Sequence, residues 1–165
     1  EVRCRTHPLD RLGLNSTSSP ATLLTMPKSW SEKLADDKDL PKVVKVPGKG
    51  RMAIASPREV DALMRRVRKG RVTTINDLRA AIAQEHKADF ACPLTTGIFA
   101  WIAALAAEES RARGEKRVTP WWRTLKGMGE LNPKYPGGIE RQQSLLRTEG
   151  HQFESRGKRV LVLRQ

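Results

Sequence analysis

The strongest constraint on the fold of this chain is a series of capped amphipathic segments that begins at Ser56. Ser56-Pro57-Arg58-Glu59 has the pattern of a capping box with proline at the first helical position. The apolar residues that follow recur at helical spacing, and they are Val60, Leu63, Met64 and Val67. Arg68-Lys69-Gly70 then supplies the basic residues and the glycine that commonly end a helix. The pattern predicts a first helix that packs on a core.

Three more helices follow from the same kind of signal. Thr74 is a predicted N-cap with Asp77 three positions on, and the inner face of that helix is Ile75, Leu78 and Ile82. A long, alanine-rich helix is predicted from Pro93 to about Glu109, with Ile98, Ile102 and Leu105 as its inward stripe. A last helix is predicted from Ile139 to Glu149, closed by Gly150.

Helix, short link, helix, turn and long helix, followed by a loop with β content, is the order of a winged helix-turn-helix. We therefore predict a mainly α fold with short β elements, and residues 56–151 as a winged helix-turn-helix DNA-binding domain. Residues 26–55 are predicted to be a partly ordered lead-in, and residues 152–165 a loose basic tail. Residues 1–25 are predicted to be a disordered extension, either upstream of a start at Met26 or a genuine flexible arm.

The charge of the chain points to a polyanionic partner. Lys and Arg number 31 against 18 Asp and Glu, which gives a net charge of +13. Nucleic acid and an anionic membrane surface are both compatible with this excess, but no apolar run approaches the ~20 residues that span a bilayer. The cations cluster at the ends of predicted helices, from Arg65 to Arg71 and from Arg111 to Arg123, which favours phosphate contacts over a merely solubilising surface.

Cysteine and histidine give no sign of a metal or a cofactor. Cys4 and Cys92 are far apart, and the sequence has no CxxC and no Cys/His cluster with metal-ligand spacing. The three histidines are scattered and are predicted to be surface residues. Cys92 is predicted to be a buried structural residue, with a reactive thiol near a helix N-terminus as the alternative. Sparse cysteine use is typical of a reducing compartment, so we expect a cytoplasmic, nucleoid-associated protein.

Three motifs in series resemble the DNA-binding domain of the alkylguanine-DNA alkyltransferases, and the resemblance covers about residues 56–151. RKGRVTTINDLRAAIA (68–83) resembles the opening of that domain, in which a basic-Gly-basic turn precedes a helix. VTPWWRTL (118–125) stands where the family has P-C-H-R-V, and YPGGIERQQSLLRTEG (135–150) resembles its closing segment. The resemblance implies the same fold and duplex DNA as the partner, bound by a monomer at the minor groove.

The departures from the family pattern bear on chemistry. Trp121 and Trp122 stand in place of the acceptor Cys and its His, and an indole cannot supply the thiolate that accepts an alkyl group. Pro120, Arg123 and Glu149 are retained, and Glu149 without its relay partner is expected to hold the loop and the last helix.

This pattern resembles the alkyltransferase-like proteins, which lack the acceptor cysteine, bind alkylated guanine without repairing it and pass the lesion to another pathway. It implies a non-enzymatic DNA-binding protein that senses alkylated guanine, with a repair-pathway protein as a further partner. The alternatives are a methyltransferase that uses Cys92, and an RNA- or protein-interaction module on the same fold.

The resemblance and the basic clusters together assign two sets of candidate residues. The lesion-pocket set is Pro120, Trp121, Trp122, Arg123, Tyr135, Gly137 and Gly138. The DNA-binding set is Arg71, Thr73, Thr74, Thr95, Thr96, Gly97, Trp101 and Arg117.

Several of these residues have a second interpretation. Trp121 is expected to face the pocket, with a core position as the alternative. For Thr95 and Thr96, helix capping is the first expectation. Ile75 and Gly97 replace the family's Tyr and Arg finger, so the sequence does not predict that base flipping is retained.

Overall fold

The computed structural model describes residues 27–163, which fold into helices and short strands. The helices are α1 (Trp30–Ala35), α2 (Pro57–Arg65), α3 (Ile75–Glu85), α4 (Pro93–Ala112) and α5 (Gly138–Arg147). The strands are β1 (Lys42–Val46), β2 (Gly50–Ile54), β3 (Thr73–Thr74), β4 (Phe90–Ala91), β5 (Thr124–Leu125), β6 (Phe153–Arg156) and β7 (Arg159–Val162). The prediction of helices with short β elements is confirmed. The predicted extension over residues 1–25 lies outside the described residues, and within 27–163 no helix has the length and apolar character to cross a membrane.

Both predicted caps begin helices, but only the cap of α3 has both hydrogen bonds of a capping box. At α3, the Thr74 hydroxyl accepts from the Asp77 amide at 3.1 Å and the Asp77 carboxylate accepts from the Thr74 amide at 2.8 Å. At α2, Ser56 accepts from the Glu59 amide at 3.2 Å, but the Glu59 carboxylate lies 2.7 Å from His86 Nε2 instead of turning back. His86, predicted to be a surface residue, therefore links the start of α2 to the end of α3.

The buried face of α4 is an alanine face and not the predicted isoleucine stripe. Ala100, Ala103 and Ala104 are fully buried, whereas Ile98 is 42% exposed and Ile102 and Leu105 are only partly buried. The physical reason is that α1 and α2 both pack on α4, and small side chains let helix backbones approach closely. A pattern that weights large apolar residues selects the wrong side of such a helix.

The lead-in contributes defined elements to the folded body. Strands β1 and β2 form an antiparallel hairpin, and β4 adds to β2 in parallel. Helix α1 is held on α4 by an edge-to-face contact of Trp30 with Trp101, with ring centroids 5.1 Å apart, and by the Ser31 hydroxyl, which donates to Glu109 at 2.6 Å. These contacts cover part of the outer surface of α4.

The C-terminal segment corrects the prediction of a loose basic tail over residues 152–165. Strands β6 and β7 pair as an antiparallel hairpin, and the Val162 amide donates to the Gly129 carbonyl at 3.1 Å. Val162 joins Leu125, Leu131 and Leu146 in a second core cluster. The charged residues that suggested a tail face outward, while a short apolar alternation supplies the buried side.

The corrected α4 face makes a direct prediction. Ala103→Leu should lower the free energy of unfolding by about 1–3 kcal/mol, because the site has no space for extra methylenes. Ile98→Ala, a change on the exposed face, should alter it by less than about 0.5 kcal/mol. Urea unfolding of both variants checks this, and a large loss at position 98 with none at 103 would restore the isoleucine stripe as the buried face.

Candidate nucleic-acid interface

The Glu149 carboxylate joins three segments that are distant in sequence. The Arg123 guanidinium donates to it through Nε at 3.0 Å and through Nη2 at 2.8 Å. The indole N–H of Trp122 donates at 2.8 Å and the amide of Gly70 at 3.1 Å. Burial acts to raise the pKa of Glu149, but these donors outweigh it and hold the pKa below its ordinary value. Arg123 also donates to the Val67 carbonyl at 2.7 Å, so this partly buried side chain ties two segments together.

Gln142 fixes the same loop from the other side, and the sequence analysis missed it. Its fully buried amide donates to the carbonyls of Trp122 and Thr124, both at 3.1 Å, and accepts from the Asn132 amide at 2.8 Å. The one signal in the sequence is its position, a single helical turn before the buried Leu146. A polar residue at that place on a helix has to bond to unpaired backbone groups.

The Trp-Trp pair fills space in the core. Trp121 is fully buried, and its indole N–H donates to Glu108 at 3.0 Å. Its ring lies against that of Tyr135, with centroids 5.6 Å apart, and burial raises the pKa of the Tyr135 phenol. The expectation that Trp121 faces a pocket is corrected, because residues 121–123 form a short 3-10 turn and not an extended segment.

The other predicted lesion-pocket residues have structural positions too. Pro120 is buried, and Trp122 is partly buried between the two core clusters. Gly137 and Gly138 have φ of +73° and +65°, and the Gly138 amide donates to the Tyr135 carbonyl at 2.8 Å. The glycines allow a left-handed turn into α5, which other residues adopt at a cost.

The predicted DNA-contacting threonines point inward. Thr74 is engaged in the α3 cap, and the Thr96 hydroxyl donates to the Cys92 carbonyl at 2.8 Å. Thr73 pairs with Thr124 in the parallel β3–β5 ladder. The capping role expected for Thr95 and Thr96 is wrong, since the N-cap of α4 is Cys92. The hydroxyls of Thr74 and Thr96 are therefore used within the protein.

An open groove lies between the first half of α4 and the loop before α5. Its volume is about 650 Å³, and Leu94, 69% exposed, is among the residues that line it. The full lining is Pro93, Leu94, Gly97, Ile98, Trp101, Lys126, Asn132 and Lys134. A Cβ at Gly97 would meet no atom within 4 Å, so this glycine faces open space. Two of the predicted DNA-binding residues, Gly97 and Trp101, thus share a groove with two lysines.

The basic connections present several cations that no carboxylate neutralises. Arg71 and Arg117, both predicted to bind DNA, are exposed. Within residues 27–163, the exposed cations without an ion pair or side-chain hydrogen bond include four before α3, two after α4 and one beside the groove: Arg66, Arg68, Lys69, Arg71, Lys116, Arg117 and Lys134. These positions are available to phosphate groups.

Cys92 is a partly exposed free thiol at the start of α4. Burial acts to raise its pKa, but the hydroxyl and amide of Thr95, the amide of Leu94 and the charge of Arg79 together lower it below the ordinary value. The prediction that Cys92 is buried is therefore wrong, because the residue is only partly buried. Across the described residues 27–163, no cluster of three or more His, Cys, Asp or Glu side chains has the arrangement to hold a metal ion.

No protein-family model and no curated protein sequence matches this chain. Among solved structures, the chain is similar to S. pombe Atl1, whose crystal structure is a complex with damaged DNA containing O6-carboxymethylguanine. The sequence identity is 16% and the TM-score 0.41, over 66% of this chain and 87% of that one. Similarity at this level assigns no function, which has to be argued from the residues of this chain.

The contacts of Glu149 predict that removing its charge strongly lowers the stability of the fold. Glu149→Gln should lower the free energy of unfolding by about 3 kcal/mol, because it leaves the buried Arg123 guanidinium without its counter-charge. Since the pKa of Glu149 is lowered on folding, its contribution to stability is present above pH 4.5 and is lost as the pH falls through the folded value. The free energy of unfolding should therefore fall less between pH 7 and pH 3 in the variant than in the wild type, as measured by urea unfolding at each pH.

Glu154→Gln is the matched control, because Glu154 also pairs with an arginine but on the exposed hairpin. It should change the unfolding midpoint little. Equal effects of the two substitutions would contradict a special role of Glu149.

Proposed function

We propose that this protein is a non-enzymatic DNA-binding protein with a winged helix-turn-helix architecture, and that it senses alkylated guanine. The observation that carries the proposal is the groove on α4, in which exposed apolar side chains lie beside Lys126 and Lys134. The proposed partner is duplex DNA bound at the minor groove by a monomer, in the cytoplasm of a cell in which a repair-pathway protein acts on the lesion. The motifs shared with the alkyltransferase family motivate this reading.

The arrangement of α3 and α4 supports the helix-turn-helix part of the proposal. Helix α3 starts at the Thr74–Asp77 capping box. A short connection, residues 86–92, leads to α4, and the two helices are in contact. In this architecture the second helix is the one that enters a groove of DNA. Here that helix is α4, and its first half carries the open face formed by Leu94, Gly97 and Ile98.

The distribution of charge favours nucleic acid over a protein partner. Two groups of the unneutralised cations, Arg66 to Arg71 before α3 and Lys116 and Arg117 after α4, border the helix pair on both ends. Phosphate contacts of this kind position a protein on DNA and carry no sequence information. Base discrimination has to come from the groove, because Trp121 and Tyr135 occupy the position of the predicted lesion pocket. We therefore assign the sensing of a modified base to the groove.

Cys92 keeps an enzymatic alternative open. Its lowered pKa and its place next to the groove residues Pro93 and Leu94 favour an alkyl-accepting thiolate. Incubation with duplex DNA that carries labelled O6-methylguanine, followed by mass spectrometry, decides between the two. Label on Cys92, absent in Cys92→Ser, would replace the non-enzymatic proposal with a transferase.

DNA binding predicts a steep salt dependence. The triple variant Arg68→Gln, Lys69→Gln, Arg71→Gln should reduce the slope of log affinity against log salt by about 0.9 for each lost phosphate contact. The control is the triple variant Lys42→Gln, Lys45→Gln, Lys49→Gln, which removes the same charge from exposed positions on and beside β1. Fluorescence anisotropy with a labelled duplex measures both. Equal reductions would show that net charge alone drives binding.

Lesion sensing predicts tighter binding to a duplex with O6-methylguanine than to the same duplex with guanine. Equal affinities would leave only the general DNA-binding part of the proposal. Preference for RNA, or no binding to either nucleic acid at low salt, would favour the interaction-module alternative.

A further inference from the structure

Met128 is the most exposed large apolar side chain in the described part of the chain. It is 79% exposed, and it stands in the turn Lys126-Gly127-Met128-Gly129. A single exposed apolar residue is ordinary on a protein surface. Met128 differs because the turn that carries it is braced by hydrogen bonds and also holds exposed cations.

The turn that carries Met128 is rigidly held. The Gly129 amide donates to the Lys126 carbonyl at 2.9 Å, and the Lys126 amide donates to the Glu130 carbonyl at 2.8 Å. On one side Asn76 contacts Gly127, where an added Cβ would lie 2.6 Å from the amide nitrogen of Asn76. On the other side the Gly129 carbonyl accepts from β7. The flexible part is therefore the methionine side chain and not its backbone.

The base of the turn belongs to the groove on α4. Lys126 lines that groove together with Leu94 and Ile98, which are 69% and 42% exposed. Lys126 and Arg159 both pair with the buried Glu130 carboxylate, at 3.0 and 3.1 Å, which brings two exposed cations to the same turn. The turn that carries Met128 thus adjoins the groove through Lys126 and presents two exposed cations.

We propose that Met128 is a wedge that inserts between neighbouring base pairs of bound duplex DNA. The inference rests on the proposed function and names the residue that distorts the duplex. Proteins that bind the minor groove commonly unstack a base step with an apolar side chain, methionine among them. Such a wedge needs a braced backbone, an exposed apolar tip and cations that hold the adjacent phosphates, and this turn has all three.

The experiment uses the full chain and a duplex with 2-aminopurine, whose fluorescence rises when its neighbours unstack. Wild-type protein should raise the fluorescence at a defined position. Met128→Ala should abolish the rise and weaken affinity by about threefold to tenfold. Its salt dependence should not change, because no charge is removed. Met128→Leu should retain the rise. Val43→Ala, which removes an exposed apolar side chain from β1, is the matched control and should behave as wild type.

The outcomes separate this inference from the proposed function. If wild type and Met128→Ala bind the duplex and raise the fluorescence equally, the wedge is overturned and DNA binding stands. If wild type does not bind duplex at low salt, the proposed function is overturned, and the wedge with it. Because Met128 is exposed, the variant should unfold at the wild-type temperature, and a shared thermal midpoint confirms that the comparison is between folded proteins.

Discussion

The buried carboxylate of Glu149 is the interaction on which the rest of the structure depends. A carboxylate in this position destabilises a fold unless charged and polar donors surround it. Here the donors come from the turn after α2 and from the 3-10 turn at residues 121–123, while the carboxylate that accepts from them follows α5. Because one charge requires all of these segments to be in place, it fixes the turn before α3 and the 3-10 turn relative to the end of α5.

The two tryptophans act as structural ties and not as an accessible site. Each indole N–H donates to a carboxylate, Trp121 to Glu108 and Trp122 to Glu149. The rings fill the space between the two core clusters, so the residues lose any role that requires access. An exposed helix face beside cations then remains as the surface that can meet a ligand, which is why the proposed DNA contacts lie on α4 and not at positions 120–123.

The sequence predicted the features that depend on neighbouring residues. The Thr74–Asp77 cap is set by atoms three residues apart, so a sequence pattern identifies it. The alanine face of α4 could not be predicted, because it depends on how closely α1 and α2 approach. Gln142 was missed for the same reason, since its partners lie in other segments. The hairpin of β6 and β7 is local, but its charged residues suggested a tail. For the candidate site, burial decides which of the predicted side chains face solvent, and burial depends on the whole fold.

The spacing of the Glu149 contacts along the chain has a consequence for folding. Gly70 lies 79 residues before Glu149, and Arg123 lies 56 residues after Val67. Loop closure over such separations has to precede the gain from these contacts, which slows folding relative to proteins with local contacts. The junction therefore forms only when almost the whole described chain is present. A nascent chain that ends before Glu149 has the Trp122 indole and the Arg123 guanidinium but not their carboxylate, so these contacts form late in synthesis.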